Sequence, residues 1–104
     1  MSKTRIFVAG HKGMVGSSIV KCLIEKGEKN LITKSHLELD LTKQNDVINF
    51  FKKKKIDQIY LAAAKVGGIY ANSKFPAEFI YKNLMIEVNI INSAFLCGIK
   101  KILF

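Results

Sequence analysis

A chain of 104 residues suits one small domain or a piece of a larger one, and its apolar fraction of 49% excludes a disordered charged tail. No apolar run approaches the roughly 18 residues needed to cross a bilayer, and the short run before Gly10 is no secretory signal, so a cytoplasmic location is expected. The net charge of +9 asks for an anionic partner, a phosphate-rich small ligand or a nucleic acid.

Arg5-Ile6-Phe7-Val8-Ala9 is a short apolar run ending at glycine, as a buried strand would be. From Gly13 onward, Val15, Ile19, Cys22 and Leu23 recur at helical spacing, and Gly27 is a natural stop. Asn30-Leu31-Ile32-Thr33 reads as a second strand. Asp40-Leu41-Thr42 then offers caps for a second helix, whose apolar face is Val47, Ile48, Phe50 and Phe51. Lys52-Lys53-Lys54-Lys55 closes that helix, where cations meet the negative end of the helix dipole. No aromatic residues interleave with the basic ones, so a nucleic-acid partner rests on net charge alone and is not expected.

Ile56 to Ala62 makes a third strand, and Gly67-Gly68 with Asn72-Ser73 marks an irregular loop. Pro76 fits the first turn of a long helix. Ile80, Leu84, Val88, Ile91 and Phe95 form one stripe on it, widened by Phe79, Ile86, Ile90 and Ala94, and Gly98 ends it. That surface is wide enough to pack on a sheet alone or also against a second subunit. Lys101-Ile102-Leu103-Phe104 begins a fourth strand.

Strands alternating with helices predict an α/β fold, a doubly wound parallel sheet of the Rossmann type that stops at the start of its fourth strand. Residues 1–104 then form one incomplete domain. Cys22 and Cys97 fall in predicted helices, Cys22 on an apolar face, and read as buried or half-buried free thiols. Two histidines without a cluster of cysteines or acids make no metal site.

The chemistry lies in Gly10-His11-Lys12-Gly13-Met14-Val15-Gly16, set between a strand and a helix. Gly10 allows a tight turn off the strand, Gly13 lets backbone approach a pyrophosphate, and Gly16 lets the helix lie close to the sheet. The helix N-terminus offers open N–H groups and a positive dipole end to phosphates. An acid about 20 residues past such a loop would grip a ribose 2′-hydroxyl. Here the second strand ends in Thr33-Lys34-Ser35-His36-Leu37, with no acid before Glu38. Lys12, Lys34 and His36 suit a 2′-phosphate, which favours NADP over NAD.

Asp40 either accepts from an adenine amine, with Leu41 beside it, or caps the following helix. Ala62-Ala63-Ala64, followed by Lys65, ends the third strand with side chains small enough for a flat ribose or ring to approach the backbone.

These residues resemble the extended short-chain dehydrogenase/reductases of the NAD-dependent epimerase/dehydratase family. The resemblance rests on Val8 to Gly16, on Leu61 to Ile69 with Ala71-Asn72, and on Pro76 followed by Phe79-Ile80-Tyr81-Lys82-Asn83. It implies a cofactor grip at Gly10 to Gly16, His36, Asp40-Leu41 and Ala62 to Lys65, and a keto sugar carried on GDP as substrate. It also implies epimerisation at C3 and C5, reduction at C4 by NADPH, and a homodimer through the 76–97 helix. The family's catalytic serine and Tyr-x-x-x-Lys pair match no position here. Tyr70 and Lys74 share that spacing but sit in the wrong place, so no catalytic residue is expected within these 104 positions and the chain alone is expected to be inactive. A non-catalytic dinucleotide-binding module, or part of another nucleotide-sugar enzyme, are the alternatives.

Overall fold

The computed structural model describes residues 4–62 and 76–103, and its strands and helices alternate along the chain. They are β1 (Ile6–Ala9), α1 (Met14–Glu25), β2 (Leu31–Thr33), α2 (Gln44–Lys53), β3 (Gln58–Leu61), α3 (Pro76–Leu96) and β4 (Lys101–Leu103). The strands form one parallel sheet in the order β2-β1-β3-β4. The α/β doubly wound fold predicted from the pattern is present.

All of β1 is buried because it is flanked on both edges and covered on both faces, which is why it reads as an unbroken apolar run. Its alternate side chains serve two cores. Phe7 and Ala9, with Ile59 and Leu61 of β3, meet Val47 and Phe51 of α2 and Ile90 and Ala94 of α3. Ile6 and Val8 meet Leu23 of α1, with Ile19, Val20, Leu31 and Tyr60 around them. The path from β1 to β2 runs one way along the sheet and the paths to β3 and β4 run the other. Crossovers of one hand therefore put α1 on one face and α2 and α3 on the other. The reversal opens a crevice at the carboxyl ends of β1 and β3.

Two helices end in the same way. Gly27 and Gly98 take φ of +89° and +75°, and the next residue's N–H reaches back, Glu28 to the Leu23 carbonyl and Ile99 to the Ala94 carbonyl. Only glycine accepts that backbone without strain.

Two expectations need correction, and the open question of which side of α3 packs inward is answered. Val15 and Cys22 are exposed; the inward side of α1 is the buried Gly16 and Leu23 with the half-buried Ile19 and Val20, so the helix is rotated about its axis relative to the expected face. Cys97 is half-buried in the turn after α3 rather than within the helix. On α3 the stripe Ile80, Leu84, Val88, Ile91 and Phe95 faces away from the sheet, and Ile90, Ser93 and Ala94 face in.

Candidate functional site

At the carboxyl end of β1 the chain turns at Gly10, whose φ of +86° lies in the left-handed region. The Gly13 N–H closes the turn on the Gly10 carbonyl at 3.1 Å. Gly13 is also the N-cap of α1, and with no side-chain cap and no acid in the first turn, the positive end of this helix is left open to an anion. Gly16 is buried where α1 crosses the loop. A Cβ there would lie 1.8 Å from the Gly10 carbonyl oxygen, so the loop and the helix can meet only at glycine.

Beside the loop, the segment after β2 folds into two small turns. In the first, the Glu38 N–H donates to Ser35 Oγ at 3.2 Å while Glu38 Oε1 accepts from the Ser35 N–H at 2.8 Å, a reciprocal cap. Hydrogen bonding to the carboxyl from Ser35, by its backbone N–H first and its side chain second, holds Glu38 below the usual carboxylate range. In the second, Asp40 Oδ1 accepts from the Thr42 N–H at 3.0 Å and from the Thr42 hydroxyl at 2.6 Å. Asp40 thus closes the turn before α2 and does not cap the helix, whose N-cap is Lys43. Lys34 sits with its ammonium 5.9 Å from the centre of the Phe50 ring, a cation–π contact that holds a long side chain over α2.

The two segments line a cleft of about 250 Å³, with Gly10, His11, Lys12 and Gly13 on one wall and Lys34 to His36 and Leu39 to Thr42 on the other. Of the residues expected to serve one site, Gly10, His11, Lys12, Gly13, His36, Asp40 and Leu41 meet here. Met14 and Val15 are exposed on the first turn of α1, and Gly16 is buried beneath the loop. Ala62 lies outside the lining, its N–H bonded to the Ala9 carbonyl at 2.9 Å at the strand end. Ala63, Ala64 and Lys65, with Tyr70 and Lys74, lie outside the described residues.

Sequence reasoning missed Leu39, Thr42 and Ile86 as lining residues. Ile86 belongs to α3, and no local pattern ties it to a loop that begins at Gly10. Among the described residues no three histidine, cysteine or acidic side chains gather as a metal site, and no helix is long and apolar enough to cross a membrane.

A crevice with open amides, a glycine cradle and four basic side chains, His11, Lys12, Lys34 and His36, suits a phosphorylated nucleotide. The model of the NAD dependent epimerase/dehydratase family matches residues 6–104. The chain belongs to that family. It is 57% identical over 100 residues to GDP-L-fucose synthase 1 of Arabidopsis thaliana, covering 96% of this chain and 31% of that protein. Against the GDP-L-fucose synthase of Escherichia coli the identity is 52% over 104 residues, 100% of this chain and 32% of that protein. Among solved structures, a GDP-mannoheptose C4 reductase from Campylobacter jejuni with NADP bound superposes with a TM-score of 0.91 at 41% identity, over 98% of this chain and 30% of that one. This member of the epimerase/dehydratase family therefore spans less than a third of the length of such relatives.

Proposed function

We propose that this chain is the amino-terminal cofactor-binding part of an NADPH-dependent GDP-L-fucose synthase. Such an enzyme epimerises GDP-4-keto-6-deoxy-D-mannose at C3 and C5 and reduces it at C4. The observation that carries the cofactor reading is the cleft, in which the glycine loop with Lys12 meets Lys34 and His36. A pyrophosphate would lie over Gly10 to Gly13 against the open end of α1, with a 2′-phosphate toward the basic side chains. Glu38, the first acid after β2, accepts from the Ser35 N–H through Oε1 and is not among the residues that line the cleft. NADP rather than NAD follows.

When bound, the nicotinamide supplies the hydride for C4. The part of this chain is to grip the adenosine-phosphate end and so fix where that ring falls. Residues 1–104 act as one cofactor domain, with the sugar held by residues outside them, and the 104-residue chain alone is catalytically inactive. Ala62, Ala63, Ala64 and Lys65 are part of the cofactor grip in this reading. The identities to named synthases support the GDP-sugar substrate. A second reading, a GDP-heptose reductase, is supported by the 41% identity to the Campylobacter jejuni enzyme. We also place the protein in the cytoplasm, and we infer a homodimer through α3, whose outward face carries Leu84, Val88, Ile91 and Phe95 in the open.

Equilibrium titration of the 104-residue chain with NADPH and NADH tests the cofactor. NADPH should bind at least about tenfold tighter, as one lost charge-assisted phosphate contact implies. Lys12→Ala and His36→Ala should erase that preference and leave NADH binding nearly unchanged. Tighter binding of NADH overturns the assignment. Turnover of GDP-4-keto-6-deoxy-D-mannose against a GDP-keto-heptose, by a polypeptide extended to the relatives' length, separates the two substrate readings.

A further inference from the structure

The inward face of α3 carries an amide where a buried helix would ordinarily carry an aliphatic side chain. Asn89 is only 3% exposed, and burying an amide without a partner costs stability. Its Nδ2 donates to the backbone carbonyl of Leu41 at 3.0 Å, a bond between residues 48 apart in the chain. Leu41 is part of the cleft wall, and Ile86, one turn earlier on α3, lines the same cleft.

The wall from Leu39 to Thr42 belongs to neither a strand nor a helix. Among the described residues its other hydrogen bonds are local: the Leu39 N–H to the Ser35 carbonyl at 2.9 Å, Thr42 to Asp40 Oδ1, and the Lys43 N–H to the Asp40 carbonyl at 3.1 Å. Those bonds close the turn but do not orient it against the glycine loop. Burial of Leu39 and its N–H bond to Ser35 fix one end within the same segment. The bond from Asn89 is directional and reaches the segment from another element.

We propose that Asn89 is a positioning residue for the nucleotide cleft: by holding the Leu41 carbonyl it sets the Asp40–Leu41 wall against which the adenine end of the dinucleotide seats. Asn89 does not line the cleft and acts through the backbone it holds. The inference rests on the reading of this cleft as a dinucleotide site.

The test separates the adenine wall from the glycine loop by using ADP and inorganic pyrophosphate as probes on the 104-residue chain. Asn89→Leu keeps the volume and removes the donor. It should weaken ADP about tenfold, the worth of one well-placed hydrogen bond, and leave pyrophosphate within about twofold. Asn89→Asp, which turns an acceptor toward the carbonyl, should weaken ADP at least as much. Should the leucine variant lose its folded circular-dichroism signal, Asn89→Ala adds no bulk and takes its place.

Equal losses for ADP and pyrophosphate would mean a general structural role and overturn the positioning role while leaving the nucleotide reading intact. Unchanged ADP binding overturns it too. Failure of the unsubstituted chain to bind either probe removes the reading on which the inference stands, and the inference with it.

Discussion

On α3 the side turned toward the sheet is less hydrophobic than the side turned away from it. Inward lie Asn89, Ile90, Ser93 and Ala94, all buried. Outward lie Ile80, Leu84, Val88, Ile91 and Phe95, and Phe95 is 80% exposed. Small and polar residues let the helix settle closely on α2, where a second row of large side chains would hold it off. The outward row gains nothing from the fold described here. A row of aliphatics kept in water is what an interface between chains would use. Hydrophobicity alone therefore does not say which face of a helix is core.

Neighbouring isoleucines give the sharpest way to break this contrast. Ile90 is 0% exposed and Ile91 is 42% exposed. Ile90→Asp should cost at least about 4 kcal/mol, enough to unfold a domain of ordinary stability, because an unpaired carboxylate enters the core. Ile91→Asp should change the monomer by about 0.5–1 kcal/mol. Urea denaturation of both variants at a concentration where the chain is monomeric gives the answer. Similar losses at the two positions would mean that the faces are not as different as the structure has them.

The outward face should respond in association rather than in stability. If it pairs two copies as proposed, Leu84→Lys together with Val88→Lys should weaken self-association on the order of a hundredfold, since each buries a charge in both halves of the contact. Sedimentation equilibrium measures this, and the thermal midpoint of the monomer should barely move. An unchanged association constant places the contact elsewhere.

The same helix shows why parts of the molecule were legible in sequence and parts were not. Strand, glycine loop and helix from Ile6 to Glu25 were readable because each glycine there answers a local demand: a positive φ at Gly10 and a contact that a Cβ would fill at Gly16. The stops at Gly27 and Gly98 are local in the same sense. The buried side of α3 was not readable, because a helix apolar on two sides has no single preferred face. Only the pairing of β3 with β4 and the packing on α2 decide it. The cleft divides likewise. His11, Lys12 and His36 announce themselves by their basic side chains, whereas Leu39 and Thr42 only flank Asp40-Leu41 and Ile86 reaches the site through the fold. Val15 and Cys22 were misassigned because the first turn of α1 is aimed by the loop and not by the hydrophobic pattern.

The two buried polar residues of the inward face differ from each other, and Ser93 gives the next smaller effect. Asn89 has its carbonyl partner, but Ser93 Oγ is buried with no partner among the described residues. Ser93→Ala removes an unsatisfied hydroxyl and improves helix propensity, so it should stabilise the chain by about 0.5–1 kcal/mol. A loss of that size in the same denaturation measurement would mean that the hydroxyl has a partner in solution.

The smallest effect lies in the segment that this inward face holds. Asp40 sits beside Leu41, and its carboxyl is held below the ordinary value of 3.8, first by the hydrogen bond from the Thr42 hydroxyl, while burial opposes the shift. Because the folded pKa is the depressed one, the associated stability is complete above the unfolded value and is lost as pH falls through the folded value. Thr42→Val removes the hydroxyl donor but keeps the Thr42 N–H, so the carboxyl should titrate closer to its ordinary value without reaching it. The stability of that variant should then fall less steeply with acid in the window below the ordinary value. Titration of the Asp40 carboxyl carbon by NMR reads the shift directly. No change on losing the hydroxyl would mean that the turn before α2 is held by its backbone alone, and that the grip of α3 on Leu41 matters correspondingly more.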